Sequence, residues 1–364
     1  MTARALIVCG LFSDYKKAKS DLPTAVKRKD AKKRGKSNLC AENQRQPPLQ
    51  IITQSMFDKK KYKLVTKNPY NKKELSGQGL VICGEWNSSY AKIIRDKGVE
   101  HLFLNYTLGW KCSDYAFLEQ IPPIKTLDIT DVHSVGIKSI ERQHGLVTLS
   151  LNMPNANGVD FRAFHNLKSV FCYGDKRNDT LFSCGSIERL YIDDLKVGDK
   201  HGIDRLKKLK DLTIANSNIT SLSFVRNLAF LESLAITNCK KILSFADISF
   251  LENLKKVDIR GVVGLHDISF LSNLDNMEVV IIETDALETI KPLENLEKIK
   301  ALALFGRKMT IEDNDLSPVN KLKQLSMLDI PNRKCYSVKI NNHWDWKDFG
   351  TRRESWLTEK QKHS

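Results

Sequence analysis

The most regular feature of the chain is a pair of apolar residues separated by one position, which returns along most of its length. The pairs are Leu102/Leu104, Leu127/Ile129, Leu149/Leu151, Val170/Cys172, Leu190/Ile192, Leu212/Ile214, Leu234/Ile236, Val257/Ile259, Val280/Ile282, Leu302/Leu304 and Leu328/Ile330. Successive pairs stand 25, 22, 21, 20, 22, 22, 23, 23, 22 and 26 residues apart, and each follows another apolar residue three positions earlier, as at Leu209, Leu231, Leu254 and Ile299. Self-similarity at such a period marks stacked units that share one continuous core. It replaces the two or three separate domains that 364 residues would otherwise suggest.

Each unit reads roughly L-x-x-L-x-L followed by I-x-x-L-x-x-L, and on that pattern the chain resembles the leucine-rich-repeat family, in particular its short-repeat, internalin-like class. The resemblance covers about residues 80 to 335. It implies an α/β solenoid: a right-handed superhelix with a parallel sheet on the concave side and short 3₁₀ or turn segments on the convex side. Stretches such as "ISFLENLKKVDIR" leave about ten residues for the convex side, too few for a long helix and two connections. The chain departs from the family where an asparagine usually follows each pair by three residues. Thr107, Val132, Pro154, Asp175, Leu195, Ser217, Cys239, Val262, Asp285, Arg307 and Arg333 stand there. An uninterrupted asparagine ladder is therefore excluded, and the backbone groups it would serve must find other partners.

The ends of such a stack need caps. Residues 61–98 read as the first cap: "GLVICGEW" as a strand, then "SSYAKIIRDKG" as a helix with Asn87 or Ser88 at its start and Gly98 at its end. About eleven repeats then fill residues 99–335. Residues 336–364 read as an aromatic C-terminal cap and tail, with Trp344, Trp346, Phe349 and Trp356 expected to pack as a lid on the last repeat.

The formal net charge of +15 suggests nucleic-acid binding until its distribution is considered. Residues 1 to 73 hold 19 basic and five acidic side chains, against 39 and 38 in the remainder. The bias thus belongs to a basic leader, residues 1–60, which shows neither helical nor strand period and is expected to be disordered. Its lysine clusters lack the aromatic interleaving that stacks bases. A start of translation at Met56 would remove most of it.

Motifs for phosphate binding, nucleophile elbows and zinc proteolysis are absent. Cys112-Ser-Asp114 has the Cys-x-Asp form of bacterial leucine-rich-repeat ubiquitin ligases, but those carry it in a separate helical domain and here it sits in the first repeat. "EDNDL" at 312 to 316 lacks the glycine and terminal glutamate of a calcium loop. No catalytic residue, metal or cofactor is expected. The eight cysteines form no C-x-x-C pair and read as reduced thiols in a cytoplasmic protein. The longest apolar run near the start, "ALIVCGLF", is too short to cross a membrane.

Function then falls to the concave face, made of the side chains that flank each apolar pair, because alternation in a strand turns them away from the core. Phe171, Tyr173 and Tyr191 come together on adjacent strands, ringed by Arg189, Asp193 and Asp211. Lys256, Asp258 and Arg260 make a second, charged patch. The expected protein is a monomeric, non-catalytic interaction module that holds a protein partner on these residues, as an inhibitor or scaffold of the immunity or phosphatase-regulator kind. The alternative is an adaptor that binds nucleic acid through its leader.

Overall fold

A computed structural model describes residues 61–112, 114–132, 137–153, 158–174, 176–195 and 201–340. The basic leader and the four C-terminal aromatic residues lie outside these. Among the described residues, thirteen strands form one sheet. In chain order they are β1 (Tyr62–Lys67), β2 (Glu74–Ile82), β3 (Val99–Asn105), β4 (Thr126–Thr130), β5 (Thr148–Asn152), β6 (Ser169–Tyr173), β7 (Arg189–Asp193), β8 (Asp211–Ala215), β9 (Ser233–Thr237), β10 (Lys256–Arg260), β11 (Val279–Glu283), β13 (Ala301–Phe305) and β15 (Met327–Asp329). Two short strands, β12 (Ala286–Leu287) and β14 (Thr310–Ile311), pair separately. From β2 onward every neighbour in the main sheet is parallel, and only β1 with β2 is antiparallel.

The repeated pairs fall on these strands in register. Leu190, Leu212, Leu234, Val257 and Val280 are successive cross-strand partners. Each is at most 2% exposed. They belong to a single core that runs from Leu80 to Ile340. Behind the sheet the chain turns through short 3₁₀ segments such as Ser223–Asn227, Ala246–Phe250 and Ser269–Leu271. A polar side chain two residues ahead starts many of them by accepting a backbone N–H: Ser221 from Ser223, Ser244 from Ala246, Asp267 from Ser269 and Thr289 from Lys291, at 2.7–3.2 Å. Such turns satisfy amides that a one-turn helix leaves without partners.

The missing asparagines are replaced in two ways. Ser217 accepts from the Leu195 amide and donates to the Ala215 carbonyl, and Cys239 donates weakly to the Ile214 and Thr237 carbonyls. One residue before these positions a short ladder runs across neighbouring turns: Asn238 donates to Asn216, which donates to Asp193 at 2.6 Å. Its backbone is a column of left-handed residues, Asp194, Asn216, Asn238 and Gly261, each the first after its strand. Asn and Asp tolerate this region and glycine enters it freely. At Gly261 a Cβ would also strike the Asn238 amide oxygen.

A second ladder lines the edge where the strands begin. Glu100, Lys125, Lys168, Glu188, Lys210, Glu232, Lys255, Glu278 and Lys300 hold equivalent positions, with Val147 and Ser326 the uncharged members. Ion pairs join Lys125 to Glu100 at 2.7 Å, Glu188 to both Lys168 and Lys210 at 3.4 and 3.5 Å, Lys255 to Glu232 at 2.8 Å and Lys300 to Glu278 at 3.1 Å. Partly exposed pairs of this kind contribute a few tenths of a kcal/mol each, about 0–1. They bias which turns lie side by side more than they stabilise the stack.

At the N-terminal end the helix α1 (Ser89–Asp96) follows β2. Asn87 accepts from the Ser89 amide at 2.9 Å, while Ser88 makes no capping bond, and Gly98 closes the helix at φ +57°. The sequence reading missed β1. Its alternation of Tyr62 and Leu64, packed on the core, with Lys63 and Lys67 facing out suits a sheet edge, where lysines discourage further pairing.

Candidate functional site

The face of the sheet turned away from the core carries three rows of side chains fixed by register. The central row runs Phe103, Asp128, Ser150, Phe171, Tyr191, Thr213, Ala235, Asp258, Ile281, Ala303 and Asp329. Its chemistry changes three times along the stack.

The first stretch is roofed by the β1–β2 turn. Asn68 organises that turn by accepting from the Tyr70 and Asn71 amides. Tyr70 stands edge-on to Phe103, with ring centroids 6.0 Å apart. Phe103 has no exposure as a result, and burial drives the Tyr70 hydroxyl well above its usual range. Next in the row, burial raises the Asp128 carboxyl from its ordinary 3.8 to about 7, with Ser150 offsetting part of the rise by hydrogen bonding. The native state thus holds a proton between pH 4 and 7 that the unfolded chain releases, so this group makes stability fall as pH rises through that window. Asp128→Asn should leave stability unchanged at pH 3.5 and raise it at pH 8. The full linkage would be about 4 kcal/mol. Partial solvent contact of the side chain reduces the expected gain to about 2 kcal/mol, measurable by urea unfolding at both pH values.

The second stretch holds the aromatic residues that the alternation placed here. Phe171 and Tyr191 stack face to face, 4.0 Å between centroids and 10° from parallel, and both keep partial exposure. Tyr173, in the next row, turns its hydroxyl sideways to donate to Asn152 at 3.3 Å. Arg189 is exposed and Asp211 half-buried; they are cross-strand partners, yet neither makes an ion pair among the described residues. Asp193 differs from the expectation. It is 3% exposed and its carboxylate accepts from Asn216, so it belongs to the ladder between turns rather than to an open rim.

The third stretch also corrects the sequence reading. Lys256, Asp258 and Arg260 do lie on this face, but each is under 10% exposed. Arg260 grips Asp258 with two hydrogen bonds of 2.6 and 3.1 Å, Lys256 stands 3.8 Å from the same carboxylate, and the Arg260 guanidinium lies over the Phe305 ring. They form a buried, ion-paired cluster, not an exposed charged patch. Beyond them Ile281, Ala301, Ala303 and Met327 form an apolar cluster of their own.

Cys112 is unsuited to nucleophilic attack, because burial raises its thiol to about 11 and its sulfur contacts the Asp114 carbonyl. Among the described residues no group of His, Cys, Asp or Glu could hold a metal ion, and no helix is long and apolar enough to cross a membrane. Six cysteines there, Cys83, Cys112, Cys172, Cys184, Cys239 and Cys335, are free thiols.

No protein-family model and no curated protein matches the chain. Solved structures do. An internalin from Listeria monocytogenes is 20% identical with a TM-score of 0.44, the match covering 69% of this chain and 66% of that one. A leucine-rich-repeat protein of Leptospira interrogans is 17% identical with a TM-score of 0.46, over 65% of this chain and 74% of its own. The leucine-rich-repeat domain of the type III effector XopL is 18% identical with a TM-score of 0.39, over 66% and 80%. What decides the classification is internal to the chain: units of about 22 residues, one parallel strand per unit in register, and a 3₁₀ segment behind each of many strands. On those grounds the fold is a leucine-rich-repeat solenoid built from short repeats.

Proposed function

We propose that the chain is a non-catalytic module that binds a protein partner on its concave face over β6 to β8, acting by occupancy as an inhibitor or a scaffold. The observation that carries this reading is the Phe171–Tyr191 stack. Two large rings lie flat against one another on the open side of a sheet, partly exposed, beside an arginine that makes no ion pair among the described residues. Aromatic rings next to arginine dominate the energetics of protein interfaces, and a stack needs little further ordering when a partner arrives. Arg189 and Asp211 supply charges of both signs at its border, suited to a segment with an apolar anchor and a flanking carboxylate. The free thiols support a reducing, cytoplasmic setting.

Capture of partners from native cell extract by wild type and by the Phe171→Ala/Tyr191→Ala/Arg189→Ala variant tests the reading. Each ring is expected to contribute about 2 kcal/mol, roughly 30-fold in affinity, so the variant should lose the partner while melting normally. Retention of every partner at full strength would remove the β6–β8 surface from consideration.

A further inference from the structure

We propose that two copies of the chain associate side by side, with two-fold symmetry, through the edge that leads into β9 and β10. Ahead of each strand from β8 to β11 the chain runs apolar-x-x-apolar: Leu206 to Leu209, Leu228 to Leu231, Leu251 to Leu254 and Leu274 to Met277. All eight of these apolar residues belong to the core, which turns the two residues between them away from it. In chain order the outward residues are Lys207 and Lys208, Ala229 and Phe230, Glu252 and Asn253, then Asp275 and Asn276. Phe230 is 60% exposed. Phe250, which ends the 3₁₀ segment ahead of β10, is 55% exposed even though the Arg226 guanidinium lies 4.5 Å from its ring centre. The equivalent positions on neighbouring turns are polar: Lys208 and Asn253 beside Phe230, Asn227 and Asn273 beside Phe250. Neither ring packs in the core, so the pair adds apolar surface to the edge without contributing to the stack, as a contact site does.

Charge selects a second copy as the occupant. Lys207 and Lys208 precede the two rings and Glu252 and Asp275 follow them, so the surface changes sign across the apolar centre. All four are exposed and make no ion pair among the described residues, whereas charges around them are paired: Lys210 with Glu188, Arg226 with Asp247 and Lys255 with Glu232. A two-fold axis midway between β9 and β10 sets β8 of one copy against β11 of the other, and β9 against β10. Lys207 and Lys208 then meet Asp275, and Phe230 meets Phe250, each contact occurring twice. The ion-pair ladder fits the same register, because Lys210 meets Glu278, Glu232 meets Lys255 and Glu188 meets Lys300. Its alternation would suit an axis between any two of these strands; the axis between β9 and β10 also joins the rings and opposes the unpaired charges. A partner of uniform charge, such as an anionic membrane or a nucleic acid, would be repelled by one half of this edge. The Phe171–Tyr191 stack lies on the concave face, so the dimer displays that surface twice and the two proposals fail independently. On this reading the monomer expected from the sequence is the dissociated form.

Sedimentation equilibrium of the full-length protein, over about 1–300 μM, tests the contact. A small interface of mixed charge is expected to give a dissociation constant of about 10–100 μM at low salt, rising as salt is added. Phe230→Ser/Phe250→Ser should weaken association at least about 30-fold while melting normally, since both side chains are exposed. Lys207→Glu/Lys208→Glu and Asp275→Lys should each weaken it about tenfold or more, because like charges then oppose one another twice. An equimolar mixture of those two variants should recover the wild-type dimer, since every opposed pair in the mixed dimer again has opposite signs. The charge variants carry the test should the serine variant melt early. A chain that stays monomeric throughout, a dimer indifferent to the phenylalanine substitutions, or a mixture that fails to recover overturns the proposal. So does a monomer that sediments with phosphatidylserine vesicles through the same phenylalanines, which would make this edge a membrane contact instead.

Discussion

Replacing Leu234 by alanine is expected to destabilise the protein by about 3–4 kcal/mol, the range found for fully buried leucines whose surroundings collapse only partly. Leu234 has no exposure and lies between Leu212 and Val257 in the longest column of the core. A solenoid gives that cavity little chance to close. Moving one strand inward would disturb its bonds to both neighbours, and each unit is stable only through the units beside it. Loss of structure should therefore reach β8 and β10 first, visible as faster amide exchange there than at β3 or β4. Leu243 is the comparison. It is 86% exposed, and Leu243→Ala should change stability by less than about 0.5 kcal/mol. Urea titration of both variants checks the contrast, and near-equal midpoints would mean that the repeated pairs do not face a common core.

Asp258→Ala should cost about 3 kcal/mol, because it removes the anion that two buried cations share. The geometry makes the loss one-sided. Arg260 holds Asp258 through two hydrogen bonds and Lys256 lies 3.8 Å from the same carboxylate, so removing it withdraws an anion from both cations in a poorly solvated place. Asp258→Asn should fall between, keeping a hydrogen-bond acceptor without the charge. Replacing all three residues by apolar ones of similar volume, Lys256→Met/Asp258→Leu/Arg260→Met, should recover most of the loss, since buried ion clusters are often no better than well-packed hydrocarbon. Thermal melting of the four proteins tests the order. If Asp258→Ala melted like wild type, the cluster would be solvated in solution.

The repeated pairs made the architecture legible because the core-facing side of a five-residue strand obeys a strict rule: every second residue points inward. Leu212 and Leu234 could be placed on the same column from spacing alone. The open face has no such rule. Alternation put Phe171, Tyr191, Lys256 and Asp258 on the correct side, but nothing in it says what lies above them, so exposed rings and buried charges looked alike. The Tyr70 roof and β1 escaped for a similar reason, since a lysine-rich edge strand and a polar turn read like a continuation of the basic leader. Asp193 was misassigned because the left-handed column after the strands is a backbone property, and its traces in sequence, Asp194, Asn216, Asn238 and Gly261, stand one residue before the position to which the family pattern directs attention. The Ser, Thr and Asp residues that start the 3₁₀ turns were present at the repeat period and could have been read as such.

The charged edge gives the stack a parity. Because lysine and glutamate alternate from Glu188 to Lys300, a turn of one kind is matched only to a turn of the other. Excising the unit of Glu232 would set Lys210 against Lys255, whereas excising that unit together with the next would bring Lys210 to Glu278 and restore attraction. This part of the solenoid therefore lengthens or shortens without conflict only by even numbers of turns, and the natural module for gene duplication is a doublet of about 45 residues.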